Sequence, residues 1–140
     1  MRVQSLHPDF IMPTKGSDRA GAWDIYMPTP GHAEGKAFLF PLGFAAEVPE
    51  GHIALLMPRS GVGAKQGLEL NNTVGLIDSD YRGEWLASIR TKSGLWFEWE
   101  AGERILQFTI VPFKQIEALE LVTELSSTKR GAGGFGASGK

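Results

Sequence analysis

The C-terminal residues 130–140 (RGAGGFGASGK) combine the residue types best suited to hold a phosphorylated ligand. Arg130 and Lys140 supply positive charge, and the glycines between them let consecutive backbone N–H groups converge on an anion. Phe135 is able to stack on a flat ring such as a base. We interpret the segment as a flexible arm that closes over a small molecule containing a base and phosphate. A disordered, solubilising tail is the alternative.

A second group of polar residues follows a predicted buried strand, within residues 72–84 (NTVGLIDSDYRGE). Asp78 at the end of that strand is placed to orient a water molecule as a general base, and Tyr81 would form an apolar wall with a polar tip. Asn72 lies in a predicted hairpin, residues 67–75, and its amide both donates and accepts, which suits an imide edge such as that of uracil. The alternative is an ordinary polar β-turn.

Two further segments carry charge beside apolar strands. Arg59, Ser60 and the residues that follow them present a guanidinium, a hydroxyl and free N–H groups together, as an anion site would; a capped turn with a surface arginine is the alternative. Asp24 lies between Trp23 and Ile25 in an apolar strand, so we expect its carboxylate to be buried and to need a partner.

Composition limits the functions open to this chain of 140 residues with a net charge of −2. The length fits one domain, and the slight negative charge argues against nucleic acid as a partner. The absence of cysteine excludes disulfides and thiolate chemistry. No apolar run approaches the length of a membrane span, so we expect a cytoplasmic protein without a membrane partner.

Glycine and proline, 18 and 8 residues respectively, divide the chain into short segments that favour strands. We predict an all-β sandwich or small barrel with at most one short helix, between residues 60 and 67, capped by Ser60. The β domain would occupy residues 1–125 and the flexible arm residues 126–140. The predicted strands are 23–27, 37–40, 44–48, 52–57, 73–77, 85–90, 95–99, 104–111 and 116–122.

Taken together, these segments resemble the ordered motifs of the trimeric dUTPases, the dUTP nucleotidohydrolases. The matching segments, in the family's order, are residues 21–25, 58–61, 75–83, 102–107 and 130–136. The resemblance implies a β jelly roll assembled as a homotrimer, with active sites shared between subunits and the arm supplied by a neighbour. It also implies hydrolysis of dUTP to dUMP and pyrophosphate with Mg²⁺, which lowers dUTP and supplies dUMP for thymidylate synthesis.

The resemblance assigns a role to each candidate residue. Asp78 would activate the attacking water, and Asp24 would support the water shell of a Mg²⁺ ion held mainly by the substrate phosphates. The remaining candidates would contact substrate; they are Arg59, Ser60, Gly61, Asn72, Gly75, Tyr81, Gln107, Arg130, Phe135, Gly136 and Ser138.

Three other functions compete with this interpretation. A deoxycytidine triphosphate deaminase shares the fold, but its chemistry needs a glutamate near the base, and the aspartate at residue 78 with the glycine-rich arm favours phosphohydrolysis. A dUTP-responsive regulatory binding protein stays open as a second role, because binding and catalysis would use the same residues. A plain β-sandwich interaction module leaves Asp78, Arg130 and Phe135 without a function.

Overall fold

A computed structural model describes residues 1–92 and 94–134, and the regular structure within them is almost entirely β. A short π-helical turn, Gly61–Lys65, is the helical exception in this described part. The strands are β1 (Val3–Ser5), β2 (Trp23–Tyr26), β3 (Gly31–Ala33), β4 (Phe38–Pro41), β5 (Phe44–Ala46), β6 (His52–Pro58), β7 (Leu68–Leu70), β8 (Gly75–Ile77), β9 (Leu86–Thr91), β10 (Phe97–Trp99) and β11 (Arg104–Pro112).

All strand pairs are antiparallel. The largest sheet has four strands in the order β2-β11-β6-β8, and a three-stranded sheet has the order β4-β9-β7. Strands β1 and β5 form one two-stranded sheet, and β10 and β3 form another. The predicted all-β class is therefore confirmed, while its jelly-roll connectivity stays a prediction.

The core lies between these sheets and is centred on Trp85. Its ring contacts Phe44 at 5.0 Å and Phe108 at 5.1 Å between centroids. Leu56 of β6 and Ile89 of β9 belong to the same buried cluster. Leu56 and Phe108 lie in the four-stranded sheet and Ile89 in the three-stranded sheet, so their packing around Trp85 joins the two sheets into one domain.

Several local predictions were wrong. Strands β1, β3 and β7 were not predicted, and residues 116–122 form no strand. The segment 67–75 is not a hairpin of paired strands, because β7 pairs with β9 and β8 with β6. Ser60 precedes the helical turn, but its side chain makes no capping hydrogen bond.

The segment after β11 leaves the body of the domain. Phe113 still donates its N–H to the carbonyl of Gly51, at 3.0 Å. Beyond it, Leu119 is 91% exposed and Leu121 is 99% exposed, although both are strongly apolar. Within the described residues, no helix is long and apolar enough to cross a membrane. The boundary predicted at residue 125 stays a prediction.

Candidate active site

Asp24 is the buried carboxylate of the site, and two guanidinium groups hold it. Its residue is only 6% exposed, which confirms the predicted burial. Arg59 Nε lies 2.9 Å from Asp24 Oδ1, and Arg104 Nη1 lies 3.3 Å from Oδ2. The predicted need for a partner is also confirmed, since each oxygen lies within ion-pair distance of a guanidinium, Arg104 also donating a hydrogen bond, and the buried charge is compensated.

A β-bulge in β11 brings Arg104 and Gln107 to the same face as Asp24. The pairing with β2 shifts register between Arg104 and Leu106, and both Ile105 and Leu106 are buried in the core. Because two consecutive side chains point inward, the residues on either side of them point the same way. Gln107 then pairs directly with Asp24 across the strands.

Arg59 is fixed by its backbone as well as by Asp24. Its N–H donates to the carbonyl of Ile105 at 3.0 Å, and its Nη1 donates to the carbonyl of Arg104 at 3.1 Å. The backbone contact holds Arg59 at the end of β6, and the Nη1 contact together with the Asp24 ion pair orients the guanidinium. Asp24 therefore positions a cation, rather than standing alone as an acid.

A cleft of about 700 Å³ opens beside this ion pair. It brings together all the predicted phosphate contacts outside the arm, with Asp24 at the same wall. Gln107 Nε2 donates to the carbonyl of Pro58 at 3.4 Å, and Gly61 leaves open space where a side chain would stand. A guanidinium, a hydroxyl and an amide around an open cleft can bind an oxyanion such as phosphate. The lining residues are Gly16, Ala20, Gly21, Ala22, Asp24, Met57, Arg59, Ser60, Gly61, Val62, Gln107 and Thr109.

A second group of candidate residues surrounds β8 and does not line this cleft. Asp78 follows β8 directly and is exposed, and the N–H of Tyr81 donates to the Asp78 carbonyl at 3.2 Å. Gly75 is buried against Leu56, whose Cβ lies 3.0 Å from where a Gly75 side chain would begin. Asn72 is exposed in the turn before β8, and the next residue, Thr73, has a φ of 70°. This conformation is strained for a β-branched residue and is typical of functional loops.

The two groups are separated along the length of β6. Ile77 pairs with Ala54, so Asp78 lies level with Ile53, whereas Arg59 follows the last residue of the strand. Six residues of strand at ~3.3 Å each place the two backbones about 20 Å apart. Their side chains cannot act together on one phosphate within a single chain, because a general base has to lie within hydrogen-bonding reach of its water.

The arm is described only in part. Arg130 is exposed, and its Nε donates to the carbonyl of Gly133 at 2.8 Å within a local turn. The predicted contacts Phe135, Gly136 and Ser138 lie outside the described residues. Their roles stay predictions.

Arg104 contacts Asp24 in the candidate site and was not singled out from the sequence. The carboxylate of its neighbour in the chain, Glu103, serves another contact, because its Oε2 accepts from the N–H of Glu100 at 2.8 Å and closes a turn. The signal that could have found Arg104 is the consecutive apolar pair Ile105 and Leu106, which breaks strand alternation and marks the bulge.

The carboxylates do not form a metal centre by themselves. Among residues 1–92 and 94–134, no group of three or more metal-binding side chains occurs. Among the described residues, Asp24 is the one carboxylate in the wall of the large cleft, and both of its oxygens form ion pairs with arginine. This donor set fits a divalent ion held mainly by the ligand's own phosphates. The support of its water shell by Asp24 stays a prediction.

The fold and the cleft define a β protein with an open site whose groups suit a small phosphorylated ligand. The family model for dUTPase matches residues 9–139. A deoxyuridine 5'-triphosphate nucleotidohydrolase of Hamiltonella defensa subsp. Acyrthosiphon pisum is 41% identical, over 94% of this chain and 89% of that protein. The enzyme of the same name from Pseudomonas fluorescens is 48% identical over 75% of this chain and 70% of its own length.

Solved structures agree with these sequence comparisons. The Staphylococcus bacteriophage 80alpha dUTPase with dUPNHPP is 27% identical with a TM-score of 0.86, and the match covers 99% of this chain and 98% of that one. The chain therefore belongs to the dUTPase family and is an enzyme of the dUTP nucleotidohydrolase class. The predicted family and enzyme class are confirmed.

Proposed function

We propose that the chain hydrolyses dUTP to dUMP and pyrophosphate in a homotrimer whose active sites each combine several subunits. The observation that carries this proposal is the separation of about 20 Å between the Asp78 and Arg59 backbones along β6. One subunit would supply the phosphate cleft, a neighbour would supply Asp78, Asn72 and Tyr81, and the third would supply the arm with Arg130.

The unpaired segment after β11 supports an assembly. Leu119 and Leu121 are almost fully exposed, and residues 116–122 retain the apolar pattern that predicted a strand. A single chain leaves this surface in water, whereas a neighbouring subunit would cover it. A trimer would thus bury an apolar segment and complete the active site in the same step.

In the proposed reaction, Asp78 takes a proton from a water molecule that attacks the α-phosphorus in line with the pyrophosphate leaving group. Arg59, Ser60, Gly61 and Gln107 would bind the phosphates, with Arg59 oriented by its contact to Asp24. Mg²⁺ on the triphosphate would neutralise charge and polarise the phosphoryl oxygens. The arm would close last and exclude bulk water.

Selectivity would come from the group around β8. The amide of Asn72 would match the imide edge of uracil, so that cytosine would leave polar groups unpaired. Tyr81 would pack against deoxyribose and leave no room for a 2′-hydroxyl. Phe135, Gly136 and Ser138 of the arm would then cover the base and the terminal phosphate. The product would serve thymidylate synthesis, in a cytoplasmic enzyme without nucleic acid or membrane partners.

Pyrophosphate release with Mg²⁺ tests the reaction. We expect fast release from dUTP and little from dCTP, dTTP or UTP. Asp78→Asn should bind dUTP as wild type does and lose about 10²–10⁴-fold in kcat, because the general base is gone while the binding groups remain. Unchanged turnover in this variant, or equal release from dCTP, would contradict the proposal.

A second, regulatory role is a separate hypothesis. Phage dUTPases, the bacteriophage 80alpha enzyme among them, control transfer of virulence genes by a proto-oncogenic G protein-like mechanism. For this chain, affinity capture repeated with and without dUTP tests the same idea. A partner protein released by the nucleotide would support the regulatory role. If the set of captured proteins is the same with and without dUTP, the regulatory role is rejected.

A further inference from the structure

The ring of Tyr81 rests on Gly83, two residues further along the chain. Its hydroxyl donates to the carbonyl of Glu84 at 3.0 Å, which bends the side chain back over its own turn. A side chain at Gly83 would begin 2.6 Å from Tyr81 Cζ and 3.0 Å from Cε2, and would also clash with the hydroxyl oxygen. Carbon atoms need about 3.5–4.0 Å, so even one methyl group leaves no room for the ring in this position.

The need for glycine at position 83 comes from the ring and not from the backbone. Several glycines of this chain have a positive φ, but Gly83 is not among them. Alanine could therefore adopt the backbone conformation of Gly83 without strain. What alanine would change is the space beneath Tyr81.

The backbone under the ring is firmly held. Arg82 Nη1 donates to the carbonyls of Ser79 at 2.7 Å and Tyr81 at 3.0 Å. On the other side, Glu84 Oε1 accepts from the N–H of Gly43 at 3.0 Å. Tyr81 itself is 41% exposed. A clash at position 83 would therefore be relieved by the exposed ring moving outward, since the turn is fixed on both sides.

We propose that Gly83 is a specificity-determining residue, whose lack of a side chain sets the position of the Tyr81 ring against the sugar. The inference rests on the proposed contact between Tyr81 and deoxyribose. A methyl group at position 83 would push the ring outward by about 1 Å, into the space of the sugar. Gly83 acts through Tyr81 and is a positioning residue rather than a catalytic one.

A double-mutant cycle with Gly83→Ala and Tyr81→Ala tests the inference, with kcat/KM measured for dUTP and UTP. Gly83→Ala alone should lower kcat/KM for dUTP about 10–100-fold, mainly through KM, because a displacement of about 1 Å disturbs substrate positioning strongly. In the Tyr81→Ala background, where no ring remains to be displaced, the same change should alter kcat/KM less than about twofold.

The outcomes separate this inference from the proposed function. An equal loss in both backgrounds, or no loss in either, would overturn the role of Gly83. If Tyr81→Ala leaves the preference for dUTP over UTP unchanged, the proposed contact of Tyr81 with the sugar is wrong instead. Should Gly83→Ala fail to fold, the double variant must fold, because it lacks the clash; two unfolded proteins would also overturn the inference.

Discussion

The proposed division of the active site between subunits predicts that two inactive variants restore each other. Asp78→Asn lacks the general base but keeps the phosphate cleft, and Arg59→Ala has the opposite defect. Within one chain the two backbones lie about 20 Å apart along β6, so each site should take these residues from different subunits. A mixed trimer should then contain one site with both residues intact.

The expected recovery follows from trimer symmetry. In a closed ring of three subunits that contains both variants, only one of the three neighbouring pairs joins an intact Arg59 to an intact Asp78. Mixed trimers should therefore show about a third of wild-type kcat, whichever variant is in excess. Each variant alone should fall by about 10²-fold or more, because it lacks the base or a main charge contact to phosphate.

Co-expression with two different affinity tags, followed by purification over both, isolates the mixed trimers for a pyrophosphate-release assay. The control is each variant co-expressed with a differently tagged copy of itself, which should stay inactive. A second control pairs wild type with a chain that carries both substitutions. Mixed trimers of the two single variants that remain as inactive as the same-variant controls would refute the shared site and place all groups within one chain.

Three further predictions concern stability, the arm and assembly. Asp24→Asn should lower the free energy of unfolding, measured in urea, by about 1–2 kcal/mol, because the two guanidinium groups lose their anion but keep access to water. The same variant should bind dUTP more weakly. Unchanged dUTP binding would argue against the orientation of Arg59 by Asp24. Deletion of residues 127–140 should keep the thermal midpoint and the trimer but nearly abolish turnover, so a fully active truncation would contradict closure by the arm. Combined Leu119→Asp and Leu121→Asp should shift sedimentation from trimer to smaller species, and an unchanged mass would show that these side chains do not face a neighbour.

The sequence predicted strands well where a long apolar pattern carries its own signal. Strands β6 and β11 are the longest in the structure, and both were predicted almost in full. Strand β3 has the sequence Gly-His-Ala and no such pattern, and it forms because Phe97–Trp99 pairs with it. Residues 116–122 show the opposite case, in which the pattern is present but no partner strand lies beside it in the described chain. A strand depends on its neighbour as much as on its own residues.

The chemistry of the site was predictable, but its contacts were not. The residue types at positions 24 and 59 indicated a buried acid and a cation beside apolar strands, and the family resemblance added the amide of Gln107. Their meeting depends on pairing between distant strands, since Arg104 and Asp24 are separated by 80 residues in the chain. The bulge in β11 then decides which side chains share a face. A sequence pattern shows which chemical groups the site contains, whereas strand register and bulges determine which of these groups lie next to each other.

Two arginines illustrate why a charged residue in a motif need not touch the ligand. Arg104 lies beside the cleft and binds Asp24, and Arg82 lies next to Tyr81 and binds the carbonyls of its own turn. Both use their positive charge to fix a neighbour: Arg104 helps to hold the acid that orients Arg59, and Arg82 holds the turn that carries Asp78 and Tyr81. If the site is assembled from separate chains, as we propose, it gains from such internal supports, because each part must already have its working shape before the parts meet.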